Sequence, residues 1–389
     1  MKLDGIRVLD LSRFLPGPVL TQFMADHGAE VVKIESVDDG EPTRAVGEMR
    51  DGVSVFFANT NRGKKSLALD LKQQAAREVV LRLAETADVV VETFRPGVAE
   101  RLGVGYRQIA ARAPRVVYAS ISAFGQTGPY RDIAAHDLAI EAMAGVLSIT
   151  RGRDGAPAIP GLAGADMLAS MMALSGVLMA LLRRGQTGRG DYLDISMADC
   201  LVAGLPNSMG SAMAERRQPD TTQARSLGGN ALYALYETQD ARWIALGGQE
   251  LKFAVTLLTL LGRPDLIETA KRPPGDAQDT LRAFLRETFL IRTQAAWIEF
   301  LSGHDVPFAP VRSLPETLDD PHFRHRKLVV NDARGWDHIG NPIMFADEPA
   351  RPQFELPAIG QHSREILQGA GYDDAEIERL AASRAVRLG

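Results

Sequence analysis

The first two hundred residues alternate short apolar runs with amphipathic stretches of helical period. Ile6–Leu11 and Glu30–Ile34 read as strands on either side of a helix near Gly17–His27. Ser66–Leu71, Val89–Phe94 and Val116–Ser122 are further strand-like runs, with a helix over Gln73–Ala87 between the first two. Strands separated by ten to fifteen helical residues imply βαβ units and a mostly parallel sheet, so the pattern predicts an α/β fold. A long apolar helix runs from near Asp166 to near Arg184, and Tyr192–Met197 follows as a strand. Beyond Pro206 the chain turns polar, with Arg216, Arg217, Gln218 and Pro219 marking an exposed connection. A smaller αβ unit comes next. There Ala231–Glu237 and Trp243–Leu246 read as a two-stranded piece and Glu250–Leu261 as a helix. A proline-rich return over 342–361 leads to short helices near Ser363–Gln368 and Asp373–Ala382.

Composition narrows the class. The 389 residues are 45% hydrophobic and 24% charged, which excludes a disordered chain. Forty-four basic against 49 acidic residues leave a formal charge of −5, with no basic block, so nucleic acid is not the expected partner. The single cysteine, Cys200, excludes an internal disulfide framework and multi-cysteine metal sites. The opening MKLDGIRVLDLS is too charged to read as a signal peptide. The longest uncharged run, Met167–Leu182, falls short of the ~20 apolar residues of a membrane span and reads as a buried helix. The expected protein is soluble and cytoplasmic, with no membrane association.

Candidate chemistry is sparse. Asp166 opens the apolar helix beside Gly161 and Gly164, a place for either a capping carboxylate or a nucleophile or base open to a bulky ligand. The glycine-rich turn before it offers backbone N–H groups for an oxyanion. His136 starts another helix, and Glu250 follows two glycines at a third. The seven histidines are scattered without metal-ligand spacing, so no metal is expected. Neither a GxGxxG nor a GxxxxGK[ST] phosphate loop is present. Arg62, Lys64 and Lys65 before one strand, and Arg95 and Arg101 after another, are candidates for holding a phosphate.

Several stretches together resemble the family III CoA-transferases, which include the alpha-methylacyl-CoA racemases. They are LDLSRFLPGPVLTQFMADHGAEVVKIE, NRGKKSLALDLK, VETFRPGVAERLGVGY, SISAFGQTGPYRD, LLRRGQTGRGDYLDISM and the late GQHSREILQGAGYDDAEI, in family order. The resemblance implies an interlocked homodimer. Each chain would have a large Rossmann-like CoA-binding domain (residues 1–206 with 330–389), a linker (207–229) and a smaller α+β domain (230–329). It places the catalytic aspartate on Asp166 and CoA contacts on Phe14, Pro16, Leu69, Thr93, Arg95 and Arg101, with CoA arriving as a substrate thioester. A basic CoA contact of relatives falls on Ser36. The racemases' catalytic histidine matches His136, followed by Asp137, and their paired glutamate matches Glu250. Their glycine run after the aspartate is replaced by Met167–Ser170, and their Asn-Tyr after the His-Asp pair by Ala139-Ile140. The glycine loop of some transferases is reduced to Gly228-Gly229.

Three functions follow from the resemblance. The first is CoA transfer between carboxylic acids through an aspartyl-acyl anhydride on Asp166. The alternative is 2-epimerisation of an acyl-CoA by Asp166 opposite His136 and Glu250. The third is an acyl-CoA-binding protein without catalysis. Transfer leads, since Asp166 suffices for it and two racemase motifs are altered.

Overall fold

The computed structural model describes residues 1–152 and 154–389. The chain divides into two compact units, the first of residues 1–145, 160–204 and 321–389, the second of residues 146–159 and 205–320. Residues 146–159 thus group with the second unit and 321–329 with the first.

The first unit is built on a seven-stranded sheet. Six of its strands are β1 (Arg7–Asp10), β2 (Glu30–Glu35), β3 (Lys65–Leu69), β4 (Val89–Glu92), β5 (Val117–Ser122) and β6 (Asp191–Ser196). They pair in parallel in the order β3-β2-β1-β4-β5-β6, with registers such as Val8↔Val31, Val8↔Val89 and Val117↔Asp191. β2 and β4 are rich in β-branched residues, and the four residues of β4 are all buried, as a central parallel strand with covered faces requires. The order reverses between β1 and β4, and in an open α/β sheet ligands bind beyond the strands' carboxyl ends at that switch point. The turns after β1 and β4 carry Arg13–Pro16 and Thr93–Gly97.

A seventh strand, Val386–Arg387, closes the outer edge antiparallel to β3, pairing Val386 with Leu69. The C-terminal return is held there by side chains as well. His362 Nδ1 accepts the Ser66 N–H at 3.1 Å, and Ser363 Oγ accepts the Ala68 N–H at 3.3 Å.

The helices that bear on the site are α1 (Pro16–Asp26), α2 (Gln74–Ala84), α3 (Asp137–Met143) and α4 (Gly164–Thr187). α1 begins with proline at its first position, where the missing N–H costs nothing. α4 is long and apolar enough to cross a membrane by length and composition alone. Only one face of it is buried, along Ala165, Ala169, Ala173, Val177 and Ala180, whose small side chains permit close approach. The helix expected to be buried is therefore half-buried, with Met172, Leu178, Met179 and Leu182 left exposed.

The second unit has a three-stranded antiparallel sheet, β7 (Tyr233–Glu237), β8 (Trp243–Gly247) and β9 (Phe308–Pro310), where two strands were expected. β9 is three residues long and ends in proline, as suits an edge strand, and so leaves no alternation to read. Helices including α5 (Leu251–Leu260) pack with this sheet around Tyr236, Phe289 and Trp297. Within the expected linker, Gly210–Glu215 forms a helix and Arg225–Gly229 a tight turn.

Candidate active site

Asp166 sits in the first turn of α4, two residues inside Gly164, and the N-cap residue Ala163 makes no capping hydrogen bond. The orphan N–H groups of that turn are taken instead by two carboxylates of α3. Asp137 Oδ1 accepts the N–H of Ala165 at 2.8 Å and of Asp166 at 3.1 Å, and Glu141 Oε1 accepts the N–H of Gly164 at 3.0 Å. Two sequence expectations are corrected here. Asp166 is not the cap of its helix, and these three N–H groups are not free to hold an oxyanion, because a neighbouring helix already plugs them.

Among the described residues no hydrogen bond reaches the Asp166 carboxylate. Burial, and then the negative charge of Asp137, push it up to about 7. An unshielded carboxylate of that basicity is a far better nucleophile or base at neutral pH than an ordinary aspartate.

The groups around it come from three segments. His136 is the N-cap residue of α3, next to the Asp137 that grips the start of α4. Its imidazole is met edge-on by the Phe14 ring, with centroids 6.2 Å apart at 84°. Ser170, one turn beyond Asp166, donates its hydroxyl to the Pro16 carbonyl at 2.7 Å, tying α4 to the start of α1. The Arg13 N–H donates to Thr93 Oγ1 at 2.8 Å, joining the turns after β1 and β4. The segments that carry Asp166, His136, Phe14–Pro16 and Thr93 are thus joined near the switch point.

The second titratable group there, Glu92, is nearly fully buried. It accepts the Phe94 N–H at 2.6 Å and the Ser120 hydroxyl, and burial pushes it up to about 7. It shapes the turn that presents Thr93 and Arg95.

Beyond the turns lies a cavity of about 190 Å³ bordered by Leu11, Arg13, Ser36, Leu69, Lys72 and Phe94. Leu69 is 2% exposed, so its side chain belongs mainly to the core. Arg95 and Arg101 are exposed, and among the described residues neither is paired with a carboxylate. The guanidinium groups of Arg101 and Arg131 converge over Gly97, each within 3.4 Å of where a β-carbon on that glycine would lie. With φ at 78°, Gly97 supplies both the turn and the space.

Arg62 and Lys64 are another correction. Both are buried and internally paired, Arg62 with Asp26 and Lys64 with Asp10, so neither is presented to a phosphate. Lys65 is paired with Glu30 and Glu365. Glu250 lies in the second unit, exposed at the N-cap position of α5.

Sequence reasoning gave no role to Glu141, Glu92 or Glu41. Only the i, i+4 spacing of Asp137 and Glu141 hinted that two carboxylates share one helix face.

An open sheet with its switch point beside an activated aspartate and unpaired arginines defines an α/β enzyme suited to a phosphate-bearing substrate. The chain belongs to CoA-transferase family III, whose sequence profile matches residues 3–363. It is 31% identical over 397 residues to the succinyl-CoA:glutarate CoA-transferase of Mus musculus, covering 99% of this chain and 90% of that protein. It is 32% identical over 394 residues to the alpha-methylacyl-CoA racemase of Mus musculus, covering 99% and 98%. Among solved structures, a CAIB/BAIF family protein from Brucella suis superposes with a TM-score of 0.82 at 29% identity, over 95% of this chain and 99% of that one. The family expectation drawn from the motifs is borne out.

Proposed function

We propose that this enzyme transfers CoA between two carboxylic acids, with Asp166 as the acyl acceptor. Family membership and transferase relatives support the transfer, and the activated Asp166 carboxylate carries the mechanism. An Asp166 oxygen attacks the thioester carbonyl carbon, the C–S bond breaks, and CoA leaves as a retained thiolate. The acceptor carboxylate then attacks the Asp166 carbonyl of the anhydride and expels the first acid. The thiolate finally attacks the new acyl carbon, which forms the product thioester and restores the Asp166 carboxylate. Water is excluded throughout, so the thioester's energy is conserved. His136 and Glu250 are the residues assigned to orienting the acids. Phe14, Pro16, Leu69 and Thr93 contact CoA, with Leu69 acting through its backbone, and Arg95 and Arg101 meet its phosphates.

Arg101→Ala is expected to weaken CoA binding by ~1–3 kcal/mol, the scale of a charge-assisted hydrogen bond, and to leave the fold intact. Calorimetry with CoA checks this, and an unchanged affinity removes Arg101 from the site.

The family's racemase branch supplies the second reading, supported by the racemase relative and by His136, the neighbour of the Asp137 that caps the Asp166 turn. In that reading Asp166 and His136 exchange the α-proton from opposite faces. Turnover of a 2-methylacyl-CoA with a labelled acid in heavy water separates the two. Transfer moves label into the thioester without α-deuterium, whereas epimerisation does the reverse.

The active assembly in this proposal is an interlocked homodimer in the cytoplasm. The apolar face of α4, with Met179 65% and Leu182 74% exposed, supports a covering partner chain, and the unpaired buried Cys200 suits a reducing compartment. Equilibrium sedimentation at sub-micromolar protein should find only dimer, because threaded chains separate no faster than they unfold. A monomer at that concentration contradicts the interlocking.

A further inference from the structure

Phe14 is a non-glycine residue with φ at +62°, a conformation its side chain disfavours, and the residue is 42% exposed. Core packing does not explain it. A strained backbone persists only where its surroundings over-determine it, and such strain collects at functional sites.

The surroundings here are a buried ionic network beneath the β1–α1 turn. Glu41, 1% exposed, accepts the Phe14 N–H on Oε1 at 2.8 Å. Its other oxygen meets Lys33 Nζ at 3.0 Å, and Lys33 also faces Asp10 at 3.6 Å. Asp10 in turn pairs with Lys64 at 3.0 Å. Three of these side chains also hold the backbone nearby. Asp10 accepts the Ser12 N–H at 3.0 Å, Lys33 donates to the Ser12 carbonyl, and Lys64 donates to the Pro18 carbonyl at 3.0 Å. Two acids and two lysines cancel in charge, so the network holds a backbone shape and presents no net charge to a ligand.

We propose that Glu41 is a positioning residue for the reaction, pinning Phe14 in its left-handed conformation so that the ring braces His136 beside Asp166. The inference rests on the reading of Asp166 and His136 as the reacting site. It adds a residue that touches neither substrate nor reacting atoms. Glu41 acts through the Phe14 backbone, and the Phe14 ring acts through its edge contact with the imidazole. Loss of the pin lets Phe14 relax to negative φ, which swings its ring away and frees the imidazole to rotate. Misplacement of that order lowers turnover by about 10–100-fold.

The test uses the full-length enzyme. Glu41→Met, which removes the acceptor for the Phe14 N–H, should lower kcat by about 10-fold or more. The NMR signals of the His136 ring should move in the free protein. Phe14→Gly should lose kcat as well, and adding Glu41→Met to it should cost little more, since the pin then has no ring to place. A Glu41→Met enzyme with wild-type kcat and an unmoved His136 signal overturns the proposal. So does a double variant whose losses simply multiply. Should the Glu41 variant fail to fold, the stabilities of Phe14→Gly and Phe14→Ala decide. A backbone held left-handed makes glycine the more stable of the two, and equal stability overturns the pin. A moved His136 signal in an enzyme that transfers nothing leaves the positioning intact and counts against transfer.

Discussion

Asp166→Asn is expected to abolish CoA transfer and, at neutral pH, to make the protein more stable. The first effect follows from chemistry, because an amide cannot add to a thioester as a carboxylate does, and loss of the nucleophile should cost at least about 10⁴-fold in turnover. The second follows from electrostatics. The folded protein binds the Asp166 proton more tightly than the unfolded chain, since burial and Asp137 raise its carboxyl from 3.8 to about 7. Ionising it therefore costs folding free energy as pH rises from about 4, and the cost levels off above about 7. Asparagine carries no such charge. The variant should match the wild type near pH 4 and exceed it by about 2–4 kcal/mol at pH 8. Urea melts at both pH values check the divergence, and parallel curves contradict it. The wild-type rate should rise with pH through about 7 as the nucleophile ionises. Stability gained where activity is lost is what a carboxylate held for reaction, and against its own solvation, should give.

The second large effect is on the fold. Arg62 and Asp26 are each 1% exposed and meet as a forked pair, at 2.5 Å and 3.0 Å. Arg62 also donates to the Ile339 carbonyl at 2.9 Å, so it ties α1 to the C-terminal return. Arg62→Ala leaves the Asp26 carboxylate buried without its counter-charge, which should cost about 3–5 kcal/mol of stability. Pairing Arg62→Met with Asp26→Asn should recover most of that loss, since no uncompensated charge then remains. Thermal or urea denaturation of the three variants measures this. A single variant as stable as the wild type would falsify the buried-pair account.

The same residue marks the limit of what the sequence makes legible. Arg62 and Lys64 stand in a basic run before a strand, and charged side chains are so seldom fully buried that the run suggests a ligand contact. Their acids, Asp26 and Asp10, are 36 and 54 residues away in sequence, and only the folded sheet brings them together. The regular elements are a different matter. β2, β4 and α2 begin within a residue of where periodicity starts them, because a central strand and an amphipathic helix print their burial directly on the chain. Val386–Arg387 and Phe308–Pro310 leave no such print, being two and three residues long. Within the candidate site, Asp166 and His136 stand out as helix-start residues, and motif resemblance supplies Phe14 and Thr93. The capping by Asp137 and Glu141 is not legible, for it depends on two helices meeting end to side. Nor is the grip of Glu41 on Phe14, since a positive φ on a phenylalanine has no signature in composition or spacing.

Trapping the acyl-enzyme tests the central claim most directly. Enzyme mixed with an acyl-CoA in the absence of acceptor acid, quenched with hydroxylamine and digested, should yield a peptide carrying a hydroxamate at Asp166. The Asp166→Asn enzyme should yield none. An unmodified Asp166 in an enzyme that meanwhile places solvent deuterium on the α-carbon at the turnover rate would contradict the account.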